Sequence, residues 1–148
     1  MIIPKLSIIL ADDDSDDCLL FKEALDELGV QFELTCVAEG EKFMSLLKQW
    51  GKNFPQVMFL DLNMPRKNGM ECLLEIKKEE RLKNIPVVII STSYNPEVAK
   101  VLYNNGAWHY IQKPRTYEKL KLMLNKVLEA VLKNQVSTTP FKNFVLLP

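Results

Sequence analysis

Residues 57–69 read VMFLDLNMPRKNG, Val57 through Gly69. Val57, Met58, Phe59 and Leu60 form a short unbroken apolar run, the pattern of a strand buried on both faces. Asp61 stands at the end of that run. Asn68-Gly69 then opens a helical period carried by Met70, Leu73, Leu74 and Lys77. An apolar strand, an acid at its carboxyl end and an amphipathic helix make the half-unit of an α/β fold with a parallel sheet.

The same alternation extends in both directions. Leu6–Ala11 (LSIILA) and Val87–Ile90 (VVII) are apolar runs, Gln31–Val37 (QFELTCV) alternates, and Trp108–Gln112 (WHYIQ) is short and mixed. Helical faces lie between them. Leu20, Ala24, Leu25 and Leu28 follow a possible cap at Ser15 and precede Gly29; Phe43, Leu46, Leu47 and Trp50 precede Gly51. Val98, Val101 and Leu102 follow Asn95-Pro96, an N-cap with proline at the first helical position. Leu120, Leu124, Val127, Leu128 and Val131 run to about Lys133. Five βα repeats predict a three-layer, doubly wound α/β sandwich around a central five-stranded parallel sheet. The domain is expected over residues 1–133. The tail, 134–148, carries Phe141, Phe144, Val145, Leu146 and Leu147, so it is expected to dock on the domain or on a partner.

Composition narrows the function classes. Among 148 residues, Lys plus Arg is 19 and Asp plus Glu is 19, a balance that disfavours capture of nucleic acid or anionic membrane by overall charge. The mixed charges of EIKKEERLK read as a solvated helix face. No apolar stretch approaches the length of a membrane span and no signal-peptide pattern is present, so a cytoplasmic protein is expected. Cys18, Cys36 and Cys72 form no CxxC pair and His109 is the only histidine, so a zinc site is not expected; the cysteines read as reduced thiols. Asp12, Asp14, Asp16 and Glu23 mimic EF-hand spacing. Asp17 replaces the required glycine, and a strand-like run stands where the entering helix should be.

The chemistry gathers at the strand ends, where open α/β sheets form their ligand crevice. The first strand ends in Asp12-Asp13-Asp14, the third in Asp61, the fourth in Ser91-Thr92, and the fifth is followed by Lys113-Pro114. A carboxylate cluster repels itself unless a cation relieves it. Asp13, Asp61 and a nearby backbone carbonyl are hard oxygen donors suited to Mg²⁺. Asp61 is placed to attack phosphorus as a nucleophile, with Mg²⁺ and the Lys113 ammonium offsetting phosphoryl charge and Ser91 donating to a phosphoryl oxygen. Neither a P-loop nor GxGxxG is present to hold a nucleotide.

These motifs, IILADDDSDD, VMFLDLNMPRKNG, PVVIIST and GAWHYIQKP, are similar to the receiver domain of two-component response regulators over about residues 5 to 133. The resemblance implies a flavodoxin-like sheet of order 2-1-3-4-5. It implies Asp61 as phosphoacceptor, Asp13 as a direct Mg²⁺ ligand with Asp12 acting through water, and Asn63 ligating through its carbonyl. It further implies Ser91 and Tyr110 as switch residues, with Tyr110 turning inward, and a cis bond between Lys113 and Pro114 that aims the lysine. The implied donor is a phosphohistidine on a sensor histidine kinase or histidine phosphotransfer protein. The implied face for partners, or for a homodimer, is formed by the fourth helix, fifth strand and fifth helix. Arg115, where a phenylalanine often stands, and Trp108 and His109, where smaller residues are common, alter that face. No DNA-binding or enzymatic output segment follows the resemblance, so a stand-alone receiver is expected. A phosphorylation-independent interaction module on the same scaffold is the alternative. A turnover phosphatase is disfavoured by the lack of a second residue placed as general acid or base.

Overall fold

The computed structural model describes residues 5–51 and 53–146. The chain order is β1 (Leu6–Ala11), α1 (Ser15–Glu27), β2 (Phe32–Val37), α2 (Gly40–Lys48), β3 (Val57–Asp61), α3 (Gly69–Lys78), β4 (Val87–Ser91), α4 (Pro96–Asn104), β5 (His109–Gln112), α5 (Tyr117–Leu132), a 3₁₀ turn (Phe141–Asn143) and β6 (Val145–Leu146). The sheet is parallel throughout, in the order β2-β1-β3-β4-β5-β6. The flavodoxin-like order 2-1-3-4-5 is therefore present, extended by a sixth strand from the tail. That strand went unread because two paired residues carry no periodicity.

Strand alternation divides the core in two. Ile9, Met58, Leu60, Val87, Ile89 and Tyr110 face one layer, packed with Phe43 and Leu47 of α2, Leu73 and Ile76 of α3, and Leu102 of α4. Ile8, Leu10, Val57, Phe59, Val88, Ile90 and Ile111 face the other, against Phe21 and Leu25 of α1 and Leu124, Val127 and Leu128 of α5. Every residue of β3 and β4 is buried, as unbroken apolar runs require.

Local chemistry sets the helix starts. Asp14, not Ser15, caps α1: its carboxylate accepts the Asp16 N–H at 2.9 Å. Asn68 and Glu71 form a reciprocal capping box on α3, and Asn95 caps α4 with Pro96 at the first position. Helix α2 ends at Lys48, before Trp50, whose indole N–H donates to the Asn53 carbonyl. Trp108 precedes β5, its N–H held by the Val87 carbonyl.

Two expectations are corrected. Cys18 and Cys36 are joined in a disulfide between α1 and β2, so the reduced-thiol reading holds only for buried Cys72. The pairing was hidden in sequence because it depends on β2 lying beside β1, which brings the two Cα atoms within 6.4 Å. Peptide bonds among the described residues are all trans, Lys113–Pro114 included. The lysine is aimed without a cis bond: its own N–H donates to the Ser91 carbonyl at 2.8 Å and its side chain reaches the acids from there.

The tail lies against the β5 edge. The Phe144 carbonyl accepts the Tyr110 N–H at 3.1 Å and lies 3.1 Å from His109 Nδ1. The Phe144 ring is fully buried, edge-on to Tyr103, whose hydroxyl donates to the Thr139 carbonyl. Leu147 lies outside the described residues. No helix among the described residues is long and apolar enough to cross a membrane.

Candidate functional site

The sheet brings the distant acids together at its carboxyl rim. Carboxylate oxygens of Asp12, Asp13 and Asp61 all lie within 4.8 Å of one another. Asp12 and Asp61 are buried and Asp13 is exposed. Asp12 continues β1, its N–H held by the Val37 carbonyl of β2, and its Oδ1 accepts the Asp14 N–H at 2.9 Å. Asp61 is the last residue of β3; its Oδ1 accepts the Asn63 N–H at 3.0 Å and its Oδ2 faces Lys113 Nζ at 3.3 Å. The Asp61 side chain keeps 6% of its surface exposed, a narrow approach from the rim.

The β3–α3 loop is pinned beneath that carboxylate. The Leu62 N–H donates to Ile90 of β4, and the Gly69 N–H donates back to the Leu62 carbonyl. A Cβ on Gly69 would sit 2.5 Å from the Asp61 carbonyl oxygen, so only glycine admits this close return. Arg66 turns the loop through a positive φ of 70°.

Lys113 is the electrostatic centre. Its Nζ lies 2.7 Å from Asp17, 3.0 Å from Asp12 and 3.3 Å from Asp61. Burial alone would lower its pKa, but Asp17, Asp12 and Asp61 outweigh burial and hold it above the usual lysine range. Asp12 responds the opposite way. Burial pushes its carboxyl up to about 7, aided by Asp17 and opposed by the Asp14 N–H and Lys113. Its Oδ2 is close to Lys113 Nζ yet poorly aligned with it, and so remains a buried oxygen with no hydrogen-bond partner. An orphaned carboxylate oxygen beside two further hard oxygen donors fits a small divalent cation.

From sequence, Asp17 figures only as the residue that breaks the EF-hand spacing, with no role at the rim. The structure instead makes it the nearest partner of Lys113. Its position in the first turn of α1 was the available signal, because that turn lies over the rim. Ser91, fully buried at the end of β4, accepts the Ser93 N–H at 3.3 Å. Tyr110 is also fully buried, faces inward, and donates to the Ser93 carbonyl at 2.8 Å, with Tyr94 edge-on to its ring. Asn63 is exposed beside the acids. His109 is engaged by the tail carbonyl rather than by this cluster, and burial lowers its pKa. An open basin of about 780 Å³ adjoins Lys113, bordered by Asp17, Thr92, Gln112, Arg115 and Lys119.

Comparison with known proteins bears on the family and the fold. The response regulator receiver domain family matches residues 8–125. Response regulator Rcp1 of Synechocystis is 34% identical over 128 residues, covering 84% of this chain and 87% of that protein. The crystal structure of the phosphorylated cyanobacterial phytochrome response regulator RcpA superposes with a TM-score of 0.80 at 34% identity, covering 88% of this chain and 96% of that one. The Mn²⁺-bound form of Rcp1 gives a TM-score of 0.75 at 32% identity, covering 91% and 97%. A family model spanning most of the chain and a relative this similar over most of its own length place this chain in the response regulator receiver domain family.

Proposed function

We propose that the chain is a phosphorylatable signalling switch, accepting a phosphoryl group on Asp61 from a phosphohistidine of a sensor histidine kinase or histidine phosphotransfer protein. The observation that carries this reading is the meeting of Asp12, Asp13 and Asp61 oxygens within 4.8 Å, with Lys113 Nζ at 3.3 Å from Asp61. An Asp61 oxygen bonds to phosphorus as the nitrogen–phosphorus bond of the donor breaks, leaving an acyl phosphate. Asp12, Asp13, Asp61 and the Asn63 carbonyl are the groups that would hold Mg²⁺. When bound, the cation would offset charge on the transferring oxygens. Lys113, held between Asp17 and the pocket, supplies the second positive charge. The buried Ser91 hydroxyl is the donor for a phosphoryl oxygen, and Tyr110, bonded one loop away at Ser93, relates that loop to the α4–β5 face. Hydrolysis of its own acyl phosphate is the only turnover expected, so the protein is not a substrate enzyme.

Output passes through protein contacts, without nucleic acid or membrane, in the cytoplasm. A homodimer through α4, β5 and α5 would include the tail, since β6 lies along β5. The likeness to a phytochrome response regulator supports a photoreceptor-type histidine kinase as the upstream partner. The test is intact-mass measurement after treatment with a small phosphodonor and Mg²⁺. The parent should gain one base-labile phosphoryl group and Asp61→Asn none; equal labelling of both would remove Asp61 from the reaction. One observation favours a phosphorylation-independent interaction module: Tyr110 is fully buried and hydrogen-bonded, with no further inward turn to make. That reading requires partner affinity unchanged by labelling.

A further inference from the structure

The Cys18–Cys36 disulfide lies apart from the acids but is built into their support. Cys18 sits in the first turn of α1, directly after Asp17, which holds Lys113 at 2.7 Å. Cys36 sits next to Val37 of β2, whose carbonyl fixes the Asp12 N–H. The crosslink therefore ties the first turn of α1, which carries Asp17, to β2, which holds the Asp12 N–H. It is also accessible: Cys36 is exposed and Cys18 half-buried. Both line an open groove of about 840 Å³ between α1 and β2, with Lys5 and Lys22 on its walls and Leu19 and Phe32 offering apolar surface. Buried Cys72 has none of these properties; burial pushes its thiol up to about 12.

We propose that Cys18–Cys36 is a reversible thiol–disulfide site, reached through this groove by a dithiol reductant, whose redox state sets how firmly the segment from Asp12 to Asp17, the β1–α1 loop and the first turn of α1, is held. A thiolate of the reductant attacks the exposed Cys36 sulfur. The Cys18–Cys36 bond breaks, and Cys18 leaves as a thiolate that takes up a proton. The second thiol of the reductant then attacks the mixed disulfide and releases Cys36. Two electrons and two protons pass to the cysteine pair, and the dithiol becomes a disulfide. Lys22 and Lys5, the latter also 3.8 Å from Glu33, favour an approaching thiolate, with Asp26 in the same groove opposing them. In the reducing compartment proposed above, a disulfide this open serves redox sensing rather than permanent bracing. The site rests on the proposed function for its reducing compartment and for its consequence, since the segment it braces carries the acidic pocket.

The test uses the full chain equilibrated in buffers of reduced and oxidised dithiothreitol without denaturant, then quenched with iodoacetamide. Cys18 and Cys36 should be alkylated together as the buffer becomes reducing, with Cys72 protected, and a reduced sample reoxidised before the quench should keep the starting mass. Amide exchange at Asp12, Asp14 and Asp17 should quicken severalfold on reduction while β3 and β4 amides hold. A Cys18→Ser/Cys36→Ser variant should show the faster loop exchange in both buffers. Resistance of the disulfide to dithiol until the whole chain unfolds, absence of the crosslink in every buffer, or equal loop exchange in both states would each overturn the proposal. None of these readouts needs Asp61 to accept phosphate, so failure of the phosphoacceptor reading would be seen separately.

Discussion

Asp12 gives the pocket a pH dependence that can be worked out before any measurement. Its carboxyl is pushed from 3.8 to about 7, chiefly by burial. The charged groups facing it are Asp13, Asp17, Asp61 and Lys113. A cation bound at Asp12 must displace that proton. Below about pH 7, apparent Mg²⁺ or Mn²⁺ affinity should therefore fall about tenfold for each unit of acidification, and above it the dependence should flatten. From about pH 8 to about pH 5.5 the loss is about 30-fold. The stability of the metal-free protein has a matching sign. The folded-state pKa lies above the unfolded value, so the protein's preference for protonated Asp12 is fully present below pH 3.8 and is lost as pH rises toward about 7. Added cation should restore stability at the upper end of that window.

The assay is a titration of free Mn²⁺ by electron paramagnetic resonance across this range, repeated with Asp12→Asn. The variant should bind more weakly and with little pH dependence. His109 is the other group with a nearby ordinary value, lowered by burial, and its Nδ1 lies against the Phe144 carbonyl of the tail, away from the acids. Its contribution would therefore survive in Asp12→Asn. Affinity constant from about pH 8 to about pH 5.5, or a slope unchanged by removing the Asp12 carboxyl, would refute the assignment of the proton to Asp12.

Two further outcomes follow from packing. Phe144→Ala removes a fully buried ring from between Tyr103 and β5; full loss of such a ring from a core costs about 3–5 kcal/mol. Because the tail can detach before the domain unfolds, the fall in the urea midpoint should be smaller than that. Proteolytic cleavage within 134–146 and loss of Tyr110 amide protection should accompany it, and an equally protected Tyr110 amide would contradict the docked geometry. Gly69→Ala places a methyl 2.5 Å from the Asp61 carbonyl oxygen, so the loop must shift at a cost of about 1–3 kcal/mol. Thermal unfolding should show the destabilisation, and divalent-cation affinity should fall with it; wild-type values for both would show that the close approach is not real.

Most of the architecture was legible because its signals are local. Val57–Leu60 and Val87–Ile90 fit strands covered on both faces, and Asn95-Pro96 states its own helix start. The acids and Lys113 were legible for a different reason: a parallel sheet places every strand's carboxyl end on the same rim, so sequence positions a hundred residues apart can be assigned to one basin. What escaped depended on which side of an element a residue faces, or on tertiary neighbours. Asp14 and Asp17 look alike in the run DDDSDD, yet one caps α1 and the other reaches Lys113. Cys18 and Cys36 meet only because β2 lies at the sheet edge beneath α1. The two residues of β6 are defined by the neighbour they pair with, not by any pattern of their own.

Tyr110 shows why the tail and the pocket should be measured separately. Its hydroxyl bonds the Ser93 carbonyl in the loop that follows Ser91, while its backbone N–H bonds the Phe144 carbonyl of the tail. A side-chain rotation of Tyr110 moves the hydroxyl and leaves the N–H where it is. Tail docking is therefore insensitive to the rotamer and responds only to displacement of the β5 backbone. Such displacement is opposed by pairing on both sides of β5, with Val88–Ser91 on one edge and Val145–Leu146 on the other. A partner meeting the α4–β5 face thus encounters the tail in either rotamer, and the local change it can read is confined to the surface around Tyr94 and Ser93, where the ring and its hydroxyl bear.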